Sequence, residues 1–135
     1  METFADMSRP IVYVDTSEVR NGRLDELKLA MDDLTEFVEA TEPRMVAYHV
    51  YFSENGSRMT VLHIHPDSAS LEFHMQVAGP KFAPIGPYIT MLGIDVYGHP
   101  GDALVDRLRQ KAELLGSGSV RVHQLHAGFA HLLPG

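Results

Sequence analysis

Three imidazoles crowd one short stretch of the chain, TVLHIHPDSASLEFHM, in which His63 and His65 stand two apart and His74 follows nine residues later. Side chains alternate along a strand, so a His-x-His pair points both rings the same way, about 6.5 to 7 Å apart at the backbone. Two neutral imidazoles so placed suit a metal, with Asp95 or His74 as the third ligand. Imidazole also titrates near neutral pH, so His63, His65 or His74 can act as general acid or base with no metal at all. A purely structural reading stands beside each. Pro66 and Asp67 follow at once, which suits a solvated strand end for His65, and His74 reads equally as a core histidine bonded to a backbone carbonyl. His49, His123, His126 and His131 read first as structural, and His99, beside Pro100-Gly101, as an exposed turn residue.

The remaining composition narrows what such a cluster serves. At 135 residues and 44% hydrophobic, the chain is the size of one domain with a real core, expected over residues 10–135 behind a tail at 1–9. No run approaches the roughly 18 apolar residues of a membrane span, and METFADMSRP carries neither a basic nor an apolar leader segment, so a cytoplasmic protein without a membrane partner is expected. Zero cysteines exclude disulfides, thiolate metal sites and a cysteine nucleophile. The net charge of −7, with eight arginines, three lysines and no basic cluster, argues against nucleic acid. Asp25, Glu26, Asp32, Asp33, Glu36 and Glu39 read as a solvated helix face. No GxSxG, HExxH, P-loop or GxGxxG motif points to a nucleotide or a known hydrolase.

The elements that must position the histidines follow from periodicity. PIVYVDT (10–16), MVAYHVYF (45–52), RMTVLHIH (58–65) and ITMLGIDVYG (89–98) read as strands. Asn55-Gly56 marks a hairpin between the second and third. Leu24, Leu27, Met31, Leu34 and Val38 form one helical stripe. Asp67 or Ser68 caps a helix to Ala78, and Gly101-Asp102 opens a third helix that Gly116 stops. PKFAPIGP reads as an irregular connection, and VRVHQLHAGFAHL as a fifth strand, bulged near Gly128. The order β-α-β-β-α-β, then α-β, predicts an α+β ferredoxin-like protomer with helices on one face.

Alternation sorts the strands into two faces. Val12, Val14, Val46, Tyr48, Val50, Phe52, Leu62, Ile64, Leu92, Ile94 and Val96 compose an apolar face that helices do not cover, which predicts a homodimer packed sheet to sheet. Tyr13, Asp15, His49, Tyr51, His63, His65, Asp95 and Tyr97 share the other face with methionines, beneath the helices and His74. Each buried polar group there must find a partner or cost about 1 to 3 kcal/mol. A chamber lined by methionine, aromatics and a few polar tips matches a small-molecule pocket, in which Tyr13, Tyr51 and Tyr97 could orient a phenolic or quinoid ligand.

LEFHMQVAGPKFAPI, Gly22-Arg23-Leu24 before the first helix and Glu42-Pro43 before the second strand resemble the antibiotic biosynthesis monooxygenase superfamily of dimeric α/β barrels, over about residues 10–98. In that superfamily a histidine on the second helix and a following phenylalanine mark the pocket, and His74 and Phe82 occupy those places. The resemblance implies a cofactor-independent oxygenase of a phenolic, quinol or polyketide-type aromatic, with His74, His63 or His65 as base and Tyr13 and Asp95 orienting the ligand. A ligand- or metal-binding dimer using His63 and His65, or an isomerase, are its alternatives. Where haem-degrading relatives place an asparagine and a tryptophan, this chain has Asp15 and His65 and no tryptophan, against haem degradation.

Overall fold

The computed structural model describes residues 9–129 and 131; residues 1–8 of the expected tail lie outside them. In order come β1 (Ile11–Val19), α1 (Leu24–Thr41), β2 (Ala47–Phe52), β3 (Arg58–His65), α2 (Ser68–Ala78), two 3-10 turns (Gly79–Lys81 and Ala83–Tyr88), β4 (Ile89–Tyr97), α3 (Asp102–Leu115) and β5 (Gly116–His123). The expected α+β, ferredoxin-like element order is observed. One sheet runs β2-β3-β1-β4-β5. Its neighbours are antiparallel except β4 and β5, which are parallel.

Local chemistry accounts for the elements. The β2–β3 loop closes with Gly56 at φ +72°, a conformation glycine adopts without Cβ strain. Asp67 caps α2 by accepting from the Ser70 backbone N–H at 3.0 Å. The stripe of α1 buries Leu27, Met31, Leu34 and Val38, and that of α3 buries Leu104, Leu108, Ala112 and Leu115. All three helices serve one face of the sheet. Met31 and Leu34 of α1 and Leu115 of α3 line the same cavity as Asp15, Val61 and Met91, while His74 of α2 packs on His63.

Two expectations about the sheet are corrected. The fifth strand begins at Gly116 and ends at His123, with no strand through Gly128. Gly116 makes the early start possible, because a Cβ there would sit 2.3 Å from the Met91 carbonyl oxygen. The face assignments of β2 and the end of β4 are also reversed. Tyr48 pairs directly with His63, Val50 with Val61 and Phe52 with Met59, which puts them on the helix-covered face and turns His49 and Tyr51 outward. In β4, the pairing of β1 jumps from Ser17↔Met91 to Thr16↔Gly93, leaving Leu92 as an extra residue. Beyond that bulge the alternation is shifted by one, so Ile94 and Val96 are fully buried inward and Asp95 and Tyr97 lie on the outer face.

Among the described residues no helix lies on the outer face. Val12, Val14, Leu62 and Ile64 form a half-buried apolar centre on it, between His49 and Tyr51 at one side and Asp95 and Tyr97 at the other. Asp95 accepts from the Arg121 guanidinium at 3.1 Å and lies 2.8 Å from His123 Nε2. Burial would raise the Asp95 carboxyl, but those two partners outweigh it and hold it below the usual carboxylate range.

Candidate active site

Between sheet and helices lies a small cavity of about 30 Å³, room for one or two water molecules. Its wall is mostly apolar, with four polar residues: Asp15 and His63 from the sheet centre, Tyr48 from β2 and Lys111 from α3. Phe82 and Lys111 also line an open groove of about 400 Å³ between α2 and α3, so these two side chains divide the cavity from the groove.

At one pole stands a buried triad. Lys111 Nζ donates to the Tyr13 hydroxyl at 2.6 Å, Tyr13 donates to Asp15 Oδ2 at 2.6 Å, and Nζ lies 3.6 Å from that same oxygen. Asp15 Oδ1 is buried with no hydrogen-bond partner among the described residues. The ammonium also sits over the rings of Phe82 at 4.1 Å and Tyr13 at 4.7 Å, where cation–π attraction assists it. Burial lowers the Lys111 pKa and neighbouring Asp15 opposes that; burial and the Asp15 carboxylate push the Tyr13 phenol well up, so it stays protonated.

At the other pole stand the histidines, all three buried. His63 stacks on Tyr13 with ring centroids 4.1 Å apart and meets Tyr48 at 5.0 Å. Its Nδ1 lies 3.1 Å from His65 Nε2, and His65 Nδ1 lies 2.8 Å from the Ser70 hydroxyl. His74 packs between His63, at 4.6 Å, and Phe82, at 5.8 Å. Its Nδ1–H donates to Glu42 Oε2 at 2.8 Å, while Glu42 Oε1 is buried with no partner among the described residues. Burial depresses all three histidines. In His63 the neighbouring His74 and Lys111 add to it, in His65 the result is about 3, and in His74 the Glu42 bond only partly offsets it. All are therefore neutral at pH 7.

The structure thus brings together His63, His65, His74, Tyr13, Asp15 and Phe82. Of the three histidines only His63 stands in the cavity wall; His65 and His74 back it. His49, Tyr51, Asp95 and Tyr97, expected in the pocket, lie instead across the sheet from it, for the register reasons above. The facing nitrogens of His63 and His65 are hydrogen-bonded to each other rather than open to a common ion. Among the described residues no group of three histidine or carboxylate side chains is arranged to hold a metal.

Lys111, Glu42 and Tyr48 are not among the site residues expected from the sequence, which set Tyr48 on the opposite face and named Glu42 only in the Glu42-Pro43 pair. The first two carry a legible signal: Lys111 continues the inward stripe Leu104, Leu108, Leu115, and Glu42 lies four residues beyond Val38 on the stripe of α1. A lone charged residue on an apolar stripe is the mark of a buried, paired group.

No family model matches the sequence, and no curated protein matches it. Solved structures do match its fold. MupZ from Pseudomonas fluorescens superposes with a TM-score of 0.71 at 16% identity, covering 91% of this chain and 95% of that one. A candidate antibiotic biosynthesis monooxygenase from Caulobacter crescentus gives 0.60 at 22% identity over 68% and 91% of the two chains. A variant of SnoaB, a cofactor-independent oxygenase from Streptomyces nogalater, gives 0.57 at 12% over 69% and 95%. Together with the element order and strand topology, these likenesses show that the chain has the fold of the antibiotic biosynthesis monooxygenases.

Proposed function

We propose that this chain is an oxygenase-like enzyme that removes a proton from a small phenolic, quinol or polyketide-type aromatic and lets the resulting anion react with dioxygen, without an organic cofactor. The observation that carries this reading is one wall in which a neutral imidazole, His63, shares a small, mostly apolar cavity with a buried ammonium, Lys111. His63 spends Nδ1 on His65, which leaves Nε2 as its nitrogen for the cavity and hence as base. Lys111 supplies fixed positive charge for the phenolate or enolate that deprotonation creates. Asp15 Oδ1, a buried acceptor without a donor, takes a substrate hydroxyl. Dioxygen accepts the electron pair of the anion at a ring carbon bearing hydrogen and, with one proton returned, forms a hydroperoxide there; its O–O bond then breaks as that hydrogen is lost as a proton, the ring carbon becomes a carbonyl, and the second oxygen leaves as water.

The names of the fold neighbours, a candidate monooxygenase and a cofactor-independent oxygenase, support this reaction class. The cavity is smaller than any aromatic substrate, so the ligand enters by displacing Phe82 and joining the cavity to the groove beyond it. The working form is a homodimer joined through the open sheet face, in the cytoplasm; among the described residues no helix is long and apolar enough to cross a membrane.

Oxygen uptake measured with a panel of hydroquinones and anthrones tests the proposal. Turnover is expected for the wild type, with His63→Gln slower by about 10²-fold or more. An unchanged rate in that variant removes His63 as base. Binding of panel members without oxygen uptake would instead favour a carrier or an isomerase.

A further inference from the structure

Three buried groups stand in single file between the cavity and the protein surface. His63 lines the cavity, its Nδ1 meets His65 Nε2 at 3.1 Å, and His65 Nδ1 meets Ser70 Oγ at 2.8 Å. Ser70 in turn lines a separate surface groove of about 280 Å³, with Glu42, Pro43, Arg44, Met45, Ala69 and Phe73. We infer that Ser70, His65 and His63 are a proton relay that carries the substrate's proton from the cavity to the groove beside α2. The inference rests on the deprotonation reading above and adds to it the route of the proton.

Bond accounting allows the transfer without any charged ring. At rest His63 carries its hydrogen on Nδ1 and donates it to His65 Nε2, while His65 carries its own on Nδ1 and donates to Ser70 Oγ. When His63 Nε2 takes the substrate proton, its Nδ1–H passes to His65 Nε2, the His65 Nδ1–H passes to Ser70 Oγ, and the serine hydroxyl gives its original hydrogen to water in the groove. Both imidazoles end neutral as Nε2–H tautomers, one proton reaches solvent, and one negative charge stays in the cavity facing Lys111. The return shift restores the starting tautomers. Such a route suits this interior, because burial and the neighbouring His74 and Lys111 all oppose an imidazolium at His63.

The geometry also makes a demand that mere packing does not. Whichever way the hydrogens point, a bonded His63–His65–Ser70 chain requires both rings to hold the same tautomer. Long-range proton–nitrogen NMR of the ¹⁵N-histidine-labelled, ligand-free protein at pH 7 reads this directly. Matching neutral tautomers in the two rings, shifted together by Ser70→Ala, are expected; opposite tautomers, or a His63 signal indifferent to that variant, overturn the relay. The cap of α2 uses the Ser70 backbone N–H, so the alanine variant keeps it, and Ser70→Thr, which restores the hydroxyl, provides the control. With an active substrate, Ser70→Ala is expected to lower kcat about tenfold or more at unchanged KM, and threonine to recover it. Unchanged kcat in the alanine variant likewise overturns the relay. Absence of any oxygen uptake by the wild type would sink the oxygenase reading alone, since the tautomer measurement does not depend on it.

Discussion

At the scale of single residues, the site is a set of groups whose environments drive them away from charge or hold them to it. The buried histidines are neutral when folded but take protons when unfolded below about pH 6.5, so the unfolded chain binds more protons there and stability falls as pH falls. For His65, held at about 3 in the fold, the loss between pH 7 and pH 5 is about 2 kcal/mol, and it is recovered on returning to neutral pH. Urea unfolding at the two pH values is expected to show that difference shrink by about 2 kcal/mol in His65→Gln. An identical pH dependence in the two proteins would contradict it. Tyr13, Asp15, His63 and His65 were legible from the sequence, because histidine, tyrosine and aspartate on strands otherwise built of valine and methionine are conspicuous; His74 was legible from its place on the inward face of α2, and Phe82 only through the family resemblance. Lys111 is harder to read, because residue type alone sets a lysine among RLRQKAELL in solvent and only its place on the stripe of Leu104, Leu108 and Leu115 points it inward.

Elements were more legible than the faces they present. Hairpin glycine, helix caps and apolar stripes each announce themselves locally, and the order of strands and helices follows. A strand's phase does not, because in AYHVYF both alternations carry aromatic or apolar side chains and only the partner strand decides between them. In β4 a single extra residue, Leu92, rephases everything after it. Inserting one alanine between Gly93 and Ile94 is therefore expected to drive Asp95 and Tyr97 toward the core and cost at least about 2 kcal/mol more than deleting Leu92, which closes the bulge and keeps Met91 and Gly93 opposite Ser17 and Thr16. Thermal unfolding of the two variants measures it, and equal losses would mean that the bulge does not set the register.

For the whole molecule, a five-stranded sheet with helices on one side leaves the other side to be explained. The open face centres on Val14 and Leu62, directly paired across β1 and β3. A two-fold copy would bury both of these against themselves, and a charge at position 62 would then meet its own image. Sedimentation velocity at micromolar concentrations is expected to give twice the mass of one chain, and Leu62→Glu to give one. A wild-type monomer would refute the dimer. The sheet reaches the site by another road as well. The helix that supplies Lys111 hands the chain to the last strand at Gly116, pressed against the backbone of Met91 with no slack between them. The ammonium is in effect bolted to the sheet's far edge five residues beyond it, so fraying of that edge registers in the cavity as lost charge placement long before the core itself gives way.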